Sequence, residues 1–362
     1  MTRIRVAIIA RTTLYTVPGG DTIQITQTAK ELRLLGIETD IILTSQKINY
    51  HQYDLLHFFN ITRPADILYH IRKSSLPFVV SPVFIDYSEY DKHHRKGWGA
   101  ILFRWLQANK IEYIKTIMRW IKGRDILRSI EYVWKGQQRS ILYILKKTSL
   151  ILPNSASELK RIMNAFHYSG SYVIVPNGID TKLFKVDTEN KREQTMIICV
   201  ARIEGIKNQF NLIKALNNSN YRLFLIGAPA PNQMQYYLKC KEIAGSNITF
   251  INQLQQVELL KYYQRASVHV LPSWFETTGL SSLEAGAMGC RIVISDRGDS
   301  KEYFGEDAFY CNPGSPSSIL TAVEKALTAV NTTTLQHKIL NNFTWKRAAL
   351  QTSLAYAQVL KS

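Results

Sequence analysis

Two carboxylates, Glu276 and Glu284, sit inside the stretch PSWFETTGLSSLEAGAMG, residues 272–289. VHVLP (268–272), just before it, is a β-branched apolar run of the kind buried in a parallel sheet. Ser273 to Thr277 read as a loop. A helix is expected from about Gly279, with Thr277 or Thr278 as its N-cap. Leu280 and Leu283 anchor it, and Ala285, Gly286, Ala287 and Gly289 give it a small face for close packing on a sheet. The amides of Thr278, Gly279 and Leu280 would then be unpaired donors at a positive helix end, which suits a phosphate. At 1.5 Å per residue, Glu284 would lie roughly 7–8 Å further along, about the reach from a diphosphate to the ribose of one nucleotide. From spacing alone, two solvated surface glutamates are the commoner explanation.

Two cations invite the same question. Arg202 and Lys207 flank IEGI at the end of the run MIICVARI (196–203). A guanidinium fork and a point charge at a strand mouth, facing a helix start, suit a diphosphate. Two solvated surface cations fit as well. Nearer the start, Gly19-Gly20 in YTVPGGD (15–21) precede a helix and permit close backbone approach to a ligand, or make an ordinary turn. PNGID (176–180) is a tight Asn-Gly turn.

The elements that must position these groups alternate. Strands are expected at 4–10, 36–44, 54–60 and 76–82, with helices near 22–35 and 67–73. After an interruption come a strand at 149–155, the helix ELKRIMNAF and a strand with its turn at 171–180. The polar stretch 185–195 reads as a linker. A second unit follows: strands 196–203, 221–227, 247–252, 268–272, 291–296 and 308–313, and helices 207–216, 231–245, 256–265 and 315–329, with a terminal helix near 345–361. This predicts an α/β chain with two parallel sheets, and ligands at the carboxyl ends of their strands.

Composition bounds the rest. A chain of 362 residues has room for two domains. Hydrophobic content of 46% with 20% charged residues marks a folded protein. Cys199, Cys240, Cys290 and Cys311 are scattered, which argues against a zinc site or disulfide framework and fits a reducing cytoplasm. The first residues lack a signal peptide's apolar length, and no apolar run is long enough to span a membrane, so a cytoplasmic location is expected. Net charge is +17, which suggests a polyanionic partner. Between Lys92 and Lys147 lie 14 Lys/Arg against three acids, a net of +11, together with Trp98, Trp105, Trp120 and Trp134. A helical wheel groups Leu102, Phe103, Leu106, Tyr113, Ile114, Ile117, Trp120 and Ile121 on one side. Arg104, Lys115, Arg119 and Lys122 fall opposite, and Lys110 is a misfit on the apolar face. Gly123 is expected to end that helix, with a second from Asp125 to about Lys147.

In order and spacing, PGGD, VPNGIDTKLF, VARIEGIKNQ, the E-x7-E of Glu276 and Glu284, and NFTWKRAALQTSLAYAQV resemble the retaining GT-B glycosyltransferases of family 4 (glycosyl transferases group 1). The likeness covers nearly the whole chain except about 88–147. It implies two Rossmann-like domains facing a central cleft: residues 1–184 on the acceptor side, carrying a helical basic insertion at about 92–147, and 185–344 on the nucleotide-sugar side. The helix 345–362 would cross back to the first domain. Arg202 and Lys207 would then bind the diphosphate and stabilise its charge as it leaves. Glu276 would hold donor-sugar hydroxyls and Glu284 the ribose. Thr278, Gly279 and Leu280 would contact phosphate or sugar, and Gly19 and Gly20 would reach donor and acceptor. No nucleophile, cofactor or metal is implied beyond the nucleotide sugar itself.

Departures stand out. Many relatives have Glu-Gly-Phe-Gly where this chain has Glu276-Thr277-Thr278-Gly279, and their Gly-Gly after RIVISD reads Gly298-Asp299 here. No histidine occupies the matching place in SPVFIDYSEYD; His93 and His94 come later, and Asp86 or Glu89 is a candidate for acceptor binding. The basic segment allows three readings: a helical elaboration packed on the first domain, an amphipathic anchor on an anionic membrane surface, or a nucleic-acid surface, the last without a supporting motif. The expected activity is hexosyl or N-acetylhexosaminyl transfer to a lipid-linked glycan or surface-polysaccharide precursor at the inner face of the membrane. The alternative is a non-catalytic nucleotide-sugar-binding or membrane-associated scaffold on the same fold.

Overall fold

The computed structural model describes residues 4–85, 90, 108–121, 127–185, 192–330 and 333–361. The described residues divide into two compact units: those up to Asn177 together with the terminal helix, and Gly178–Thr344.

The first unit is built on a parallel sheet of five strands: β1 (Arg5–Ala10), β2 (Glu38–Leu43), β3 (Leu55–Phe59), β4 (Phe78–Ser81) and β5 (Leu150–Ile151). Their order is β2-β1-β3-β4-β5, so the order reverses at the β1/β3 pair. Helix α1 (Gly20–Leu34) follows β1 and α2 (Pro64–Lys73) follows β3. Pro64 sits at the first turn of α2, where its missing amide costs nothing.

The basic segment differs from its expected form. Helix α3 spans Ala108–Ile121, and the second helix, α4, starts at Ile130 rather than Asp125 and runs to Lys147. Gly136, at φ 70°, breaks it. Helix α4 buries Tyr132, Ile141, Ile144 and Leu145 against the first unit's core. It is the crossover that parallel strands β4 and β5 require, not a separable insertion. Lys110 is exposed rather than set in an apolar face, while Trp120 and Ile121 also face solvent. Trp98, Trp105, Leu102, Phe103, Leu106, Lys122 and Gly123 lie outside the described residues.

Helix α5 (Ala156–Phe166) opens on a Ser155 cap that accepts the Glu158 amide. No strand forms at 171–180. A single bridge joins Tyr172 to Ile151, and Val175 N donates to Pro153 O. With β5 only two residues long and Pro176 lacking an amide, a ladder has nothing to extend along. The terminal helix, α13 (Trp345–Lys361), packs against α1. Its Tyr356 hydroxyl bonds His57 Nδ1 on β3 at 2.7 Å, and Ser81 Oγ holds the other ring nitrogen at 2.9 Å. Burial pushes the His57 imidazole down to about 3, so the ring is a neutral tie in the core.

The second unit carries six parallel strands: β6 (Glu193–Val200), β7 (Arg222–Ile226), β8 (Ile248–Ile251), β9 (Ala266–Leu271), β10 (Arg291–Ser295) and β11 (Phe309–Cys311). Their order is β11-β10-β9-β6-β7-β8, so the chain reverses direction at the β6/β9 pair. Its helices are α6 (Gln209–Leu216), α7 (Met234–Ile243), α8 (Gln256–Arg265), α9 (Leu280–Ala287), α10 (Ser300–Phe304), α11 (Pro316–Thr328) and α12 (Thr334–Asn342). The end of the expected linker is built into this unit. Arg192 donates to the carbonyls of Tyr263, Ala266 and Met288, and Glu193 takes Arg222 and Arg265. Polar composition hid this because the partners are distant backbone carbonyls and cations.

Candidate active site

The strand order reverses at β6/β9, and the carboxyl ends of strands at such a switch are where open α/β sheets bind ligands. The loop after β6 carries Arg202 and Lys207; the loop after β9 carries Glu276. One backbone bond and the Asn208 side chain lock the two loops together. Trp274 N donates to Ile206 O at 2.8 Å, and Asn208 Nδ2 donates to Pro272 O at 3.0 Å and Pro313 O at 2.7 Å. Lys207 lies between these two ties. Asn208 itself is at φ 60°, a left-handed conformation that asparagine tolerates, and it splits the expected helix 207–216 into a short 3-10 turn and α6.

Lys207 Nζ reaches Glu276 Oε1 at 2.6 Å. The Glu276 side chain is only 7% exposed and that of Lys207 23%, so the pair sits in a partly desolvated setting where charge acts strongly. Glu276 is held from the other side too. Its amide donates to Arg297 O, and its carbonyl accepts Asp299 N at 2.8 Å, a parallel bridge to Gly298. Gly298 is at φ 83°, and a Cβ there would lie 2.0 Å from the Glu276 carbonyl oxygen. The glycine is therefore a requirement of Glu276's position.

Helix α9 begins one residue later than the Thr277/Thr278 capping predicts. Gly279 is the N-cap, at φ 70°, ψ 60°. Thr278 is buried and turns its hydroxyl to Tyr303 at 3.3 Å instead. The amides of Gly279 and Leu280 have no acceptor among the described residues, as a phosphate-binding helix start needs. Inside α9, Glu284 is buried, and its carboxylate oxygens accept Gln256 Nε2 at 2.8 Å and Tyr263 OH at 2.9 Å. Burial pushes Glu284 up to about 7, partly offset by those two donors. His269, on β9 beneath α9, is neutral for the same reason, pushed down to about 3 by burial. Arg202 is less fixed: it faces solvent and pairs with Glu204 at 3.1 Å.

In the first unit, Gly19 caps α1 in an extended conformation, φ −150°, and donates its amide to Thr22 Oγ1. The loop before it is organised by Arg11, which pairs with Asp21 at 2.6 Å and donates to the carbonyls of Thr13 and Val17. Asp86 and Glu89 lie outside the described residues. The loop leading to them is held by Glu158, a buried carboxylate that accepts the amides of Phe84 and Asn154, both at 2.5 Å. The sequence reading missed Arg11, Glu158 and Asn208, and it noted Gly298 only as a departure from relatives, without its tie to Glu276. Asn208 and Gly298 carried a signal, since asparagine or glycine just past a buried strand marks a left-handed turn. Among the described residues, no group of three or more His, Cys, Asp or Glu side chains could hold a metal ion.

E-x7-E, Lys207 and the open amides are gathered at one strand switch, and the same segment has counterparts among known proteins. Residues 180–341 match the family Glycosyl transferases group 1. The D-inositol 3-phosphate glycosyltransferase of Corynebacterium diphtheriae is 22% identical to this chain, over 93% of this chain and 89% of that protein. Among solved structures, sucrose-phosphate synthase from Thermosynechococcus elongatus superposes with a TM-score of 0.77 at 16% identity, over 99% of this chain and 100% of that one. Anabaena HepE, solved in complex with UDP-glucose, gives a TM-score of 0.70 at 14% identity, over 98% and 100%. The fold is that of the GT-B glycosyltransferases, two parallel-sheet α/β units, and the matched family segment holds the whole Lys207–Glu276–Glu284 constellation.

Proposed function

We propose that the protein is a retaining glycosyltransferase of the GT4 type that takes a hexosyl or N-acetylhexosaminyl group from a nucleoside-diphosphate sugar. One observation carries the reading: the Lys207–Glu276 pair, its carboxylate buried and its ammonium half-buried, pinned at the β6/β9 switch beside the open amides of Gly279 and Leu280. Lys207 and those amides, with Thr278 and Arg202, are suited to take a diphosphate and the charge that grows on it as the anomeric C–O bond breaks. A diphosphate that engages Lys207 frees Glu276 to accept the sugar's hydroxyls. Glu284 is assigned to the ribose, and Gly19 and Gly20 to donor and acceptor contact. The chemistry is metal-independent in this proposal. The solved complex of HepE with UDP-glucose supports the donor class.

The acceptor is proposed to be a hydroxyl of a lipid-linked oligosaccharide or surface-polysaccharide precursor, reached at the inner face of the membrane, with Asp86 and Glu89 on the acceptor side. In support of a glycan acceptor, a segment of the serotype-specific mannosyltransferase WbdA of Escherichia coli is 31% identical, over 35% of this chain and 16% of that protein. Met118, Trp120 and Ile121 of α3 and Ile130 and Trp134 of α4 are exposed among many cations, which suits the headgroup region of an anionic membrane. No helix among the described residues is long and apolar enough to cross a membrane. No nucleic-acid partner is proposed. A binding-only scaffold needs no group to take up leaving-group charge, whereas the half-buried Lys207 paired with Glu276 is suited to that task. The test is nucleotide release from candidate donors with membrane extract. Glu276→Ala and Lys207→Ala should each lower it by about a hundredfold; equal turnover in all three proteins would refute the assignment.

A further inference from the structure

Glu284 is a carboxylate with both oxygens already engaged. Gln256 holds one at 2.8 Å and Tyr263 the other at 2.9 Å. Both donors come from α8, seven residues apart, so two helical turns place them on one face toward α9. A carboxylate offers about four acceptor sites, two per oxygen. One donor on each oxygen leaves one site open on each, a pair spaced for two hydroxyls on adjacent carbons.

We propose that Tyr263 and Gln256 are positioning residues that hold Glu284 as a two-oxygen acceptor for the vicinal diol of a nucleotide ribose. The proposal rests on the reading of this unit as a nucleotide-sugar site. The two donors act at different depths. Gln256 is half-buried at the first residue of α8, near the surface. Tyr263 is fully buried, and its backbone is fixed independently: its carbonyl accepts Arg192 Nη1 at 3.0 Å and Cys290 Sγ at 3.1 Å. Burial and then the nearby Glu284 charge push the phenol well above its usual range, so its hydroxyl stays protonated and remains a donor. With the Tyr263 hydroxyl lost, the inner oxygen would lose the donor that fixes its plane, and the diol would meet a carboxylate free to turn.

The experiment is isothermal titration of the full chain with UDP, GDP and ADP and with the 2′-deoxy form of each. Wild type should bind at least one ribonucleotide about tenfold or more tighter than its 2′-deoxy counterpart. Tyr263→Phe and Gln256→Leu should each shrink that ratio to threefold or less, while affinity for the deoxy form moves little. A merely structural role would weaken both forms alike and leave the ratio at its wild-type value, which would overturn the proposal. Gln256 sits at the outer edge, so Gln256→Leu keeps the test alive if Tyr263→Phe folds poorly. Glu284→Ala separates the layers. If it collapses the ratio while the two positioning variants do not, the positioning claim fails and the ribose assignment stands. If it leaves the ratio intact, the ribose assignment itself fails.

Discussion

Gly298→Ala is the sharpest perturbation of this site, because it changes one methyl group and touches no charge. The new Cβ would lie 2.0 Å from the Glu276 carbonyl oxygen, 2.9 Å from its carbonyl carbon and 3.0 Å from its nitrogen. All three are backbone atoms, so no side-chain rotation relieves the overlap. Ordinary contact needs the Glu276 backbone to retreat by about 1 Å, and a misplacement of that size costs on the order of 10²-fold in rate. Alanine at φ 83° adds about 1–2 kcal/mol of backbone strain. Gly289→Ala is the control. It carries the same left-handed strain, at φ 84°, but its Cβ meets only the end of the Arg192 side chain, at 2.9 Å. Donor turnover measured as nucleotide release, with urea midpoints on both variants, separates the two effects. Gly298→Ala should lose about a hundredfold in turnover, whereas Gly289→Ala should lose stability and keep its rate per folded molecule. Wild-type turnover in folded Gly298→Ala would refute the claim that Gly298 sets Glu276.

Three further outcomes follow from the same geometry. Burial raises Glu284 from an ordinary 4.5 to about 7, so the folded state holds a proton that the unfolded state has released; stability from this group is present below about pH 4.5 and falls by about 3 kcal/mol as pH rises to 7. Glu284→Gln should therefore gain on wild type between pH 5 and 8 in urea midpoints, and a pH-independent difference would contradict the burial argument. Arg192→Ala strips the carbonyls of Tyr263, Ala266 and Met288 of a shared donor and should destabilise the second unit by about 3 kcal/mol, read as a lower urea midpoint. Trp120→Ser with Trp134→Ser should lower partitioning onto anionic vesicles at least fivefold, in a salt-sensitive assay, and unchanged partitioning would return this surface to ordinary solvated helix.

The basic segment shows how a sequence misleads by omission. Its charge and tryptophans are legible, and they read as an insertion added to the first unit. Yet α4 carries Tyr132, Ile141 and Ile144 into the first unit's core and supplies the crossover between β4 and β5. Composition reports what a helix shows to solvent as loudly as what it buries, and only packing separates the two. The strand expected at 171–180 failed for a related reason: its apolar alternation was real, but its partner strand is two residues long.

By itself, the sequence determined the parallel α/β alternation, set by periodicity, while Arg202, Lys207, Glu276 and Glu284 stood out only through a family resemblance, since spacing alone would have left them as surface charges. Tertiary structure alone decided what they are to one another. Lys207 and Glu276 are 69 residues apart and become a 2.6 Å pair only because β9 returns to lie beside β6. Glu284 looks like its neighbour in sequence, but Gln256 and Tyr263 make it a buried, doubly held acceptor, while Glu276 remains the partner of a cation. Even the N-cap of α9 moved to Gly279, because Thr278 found Tyr303 and left the helix amides open. Residue type sets what a side chain can do, and the sheet order sets which partner it meets.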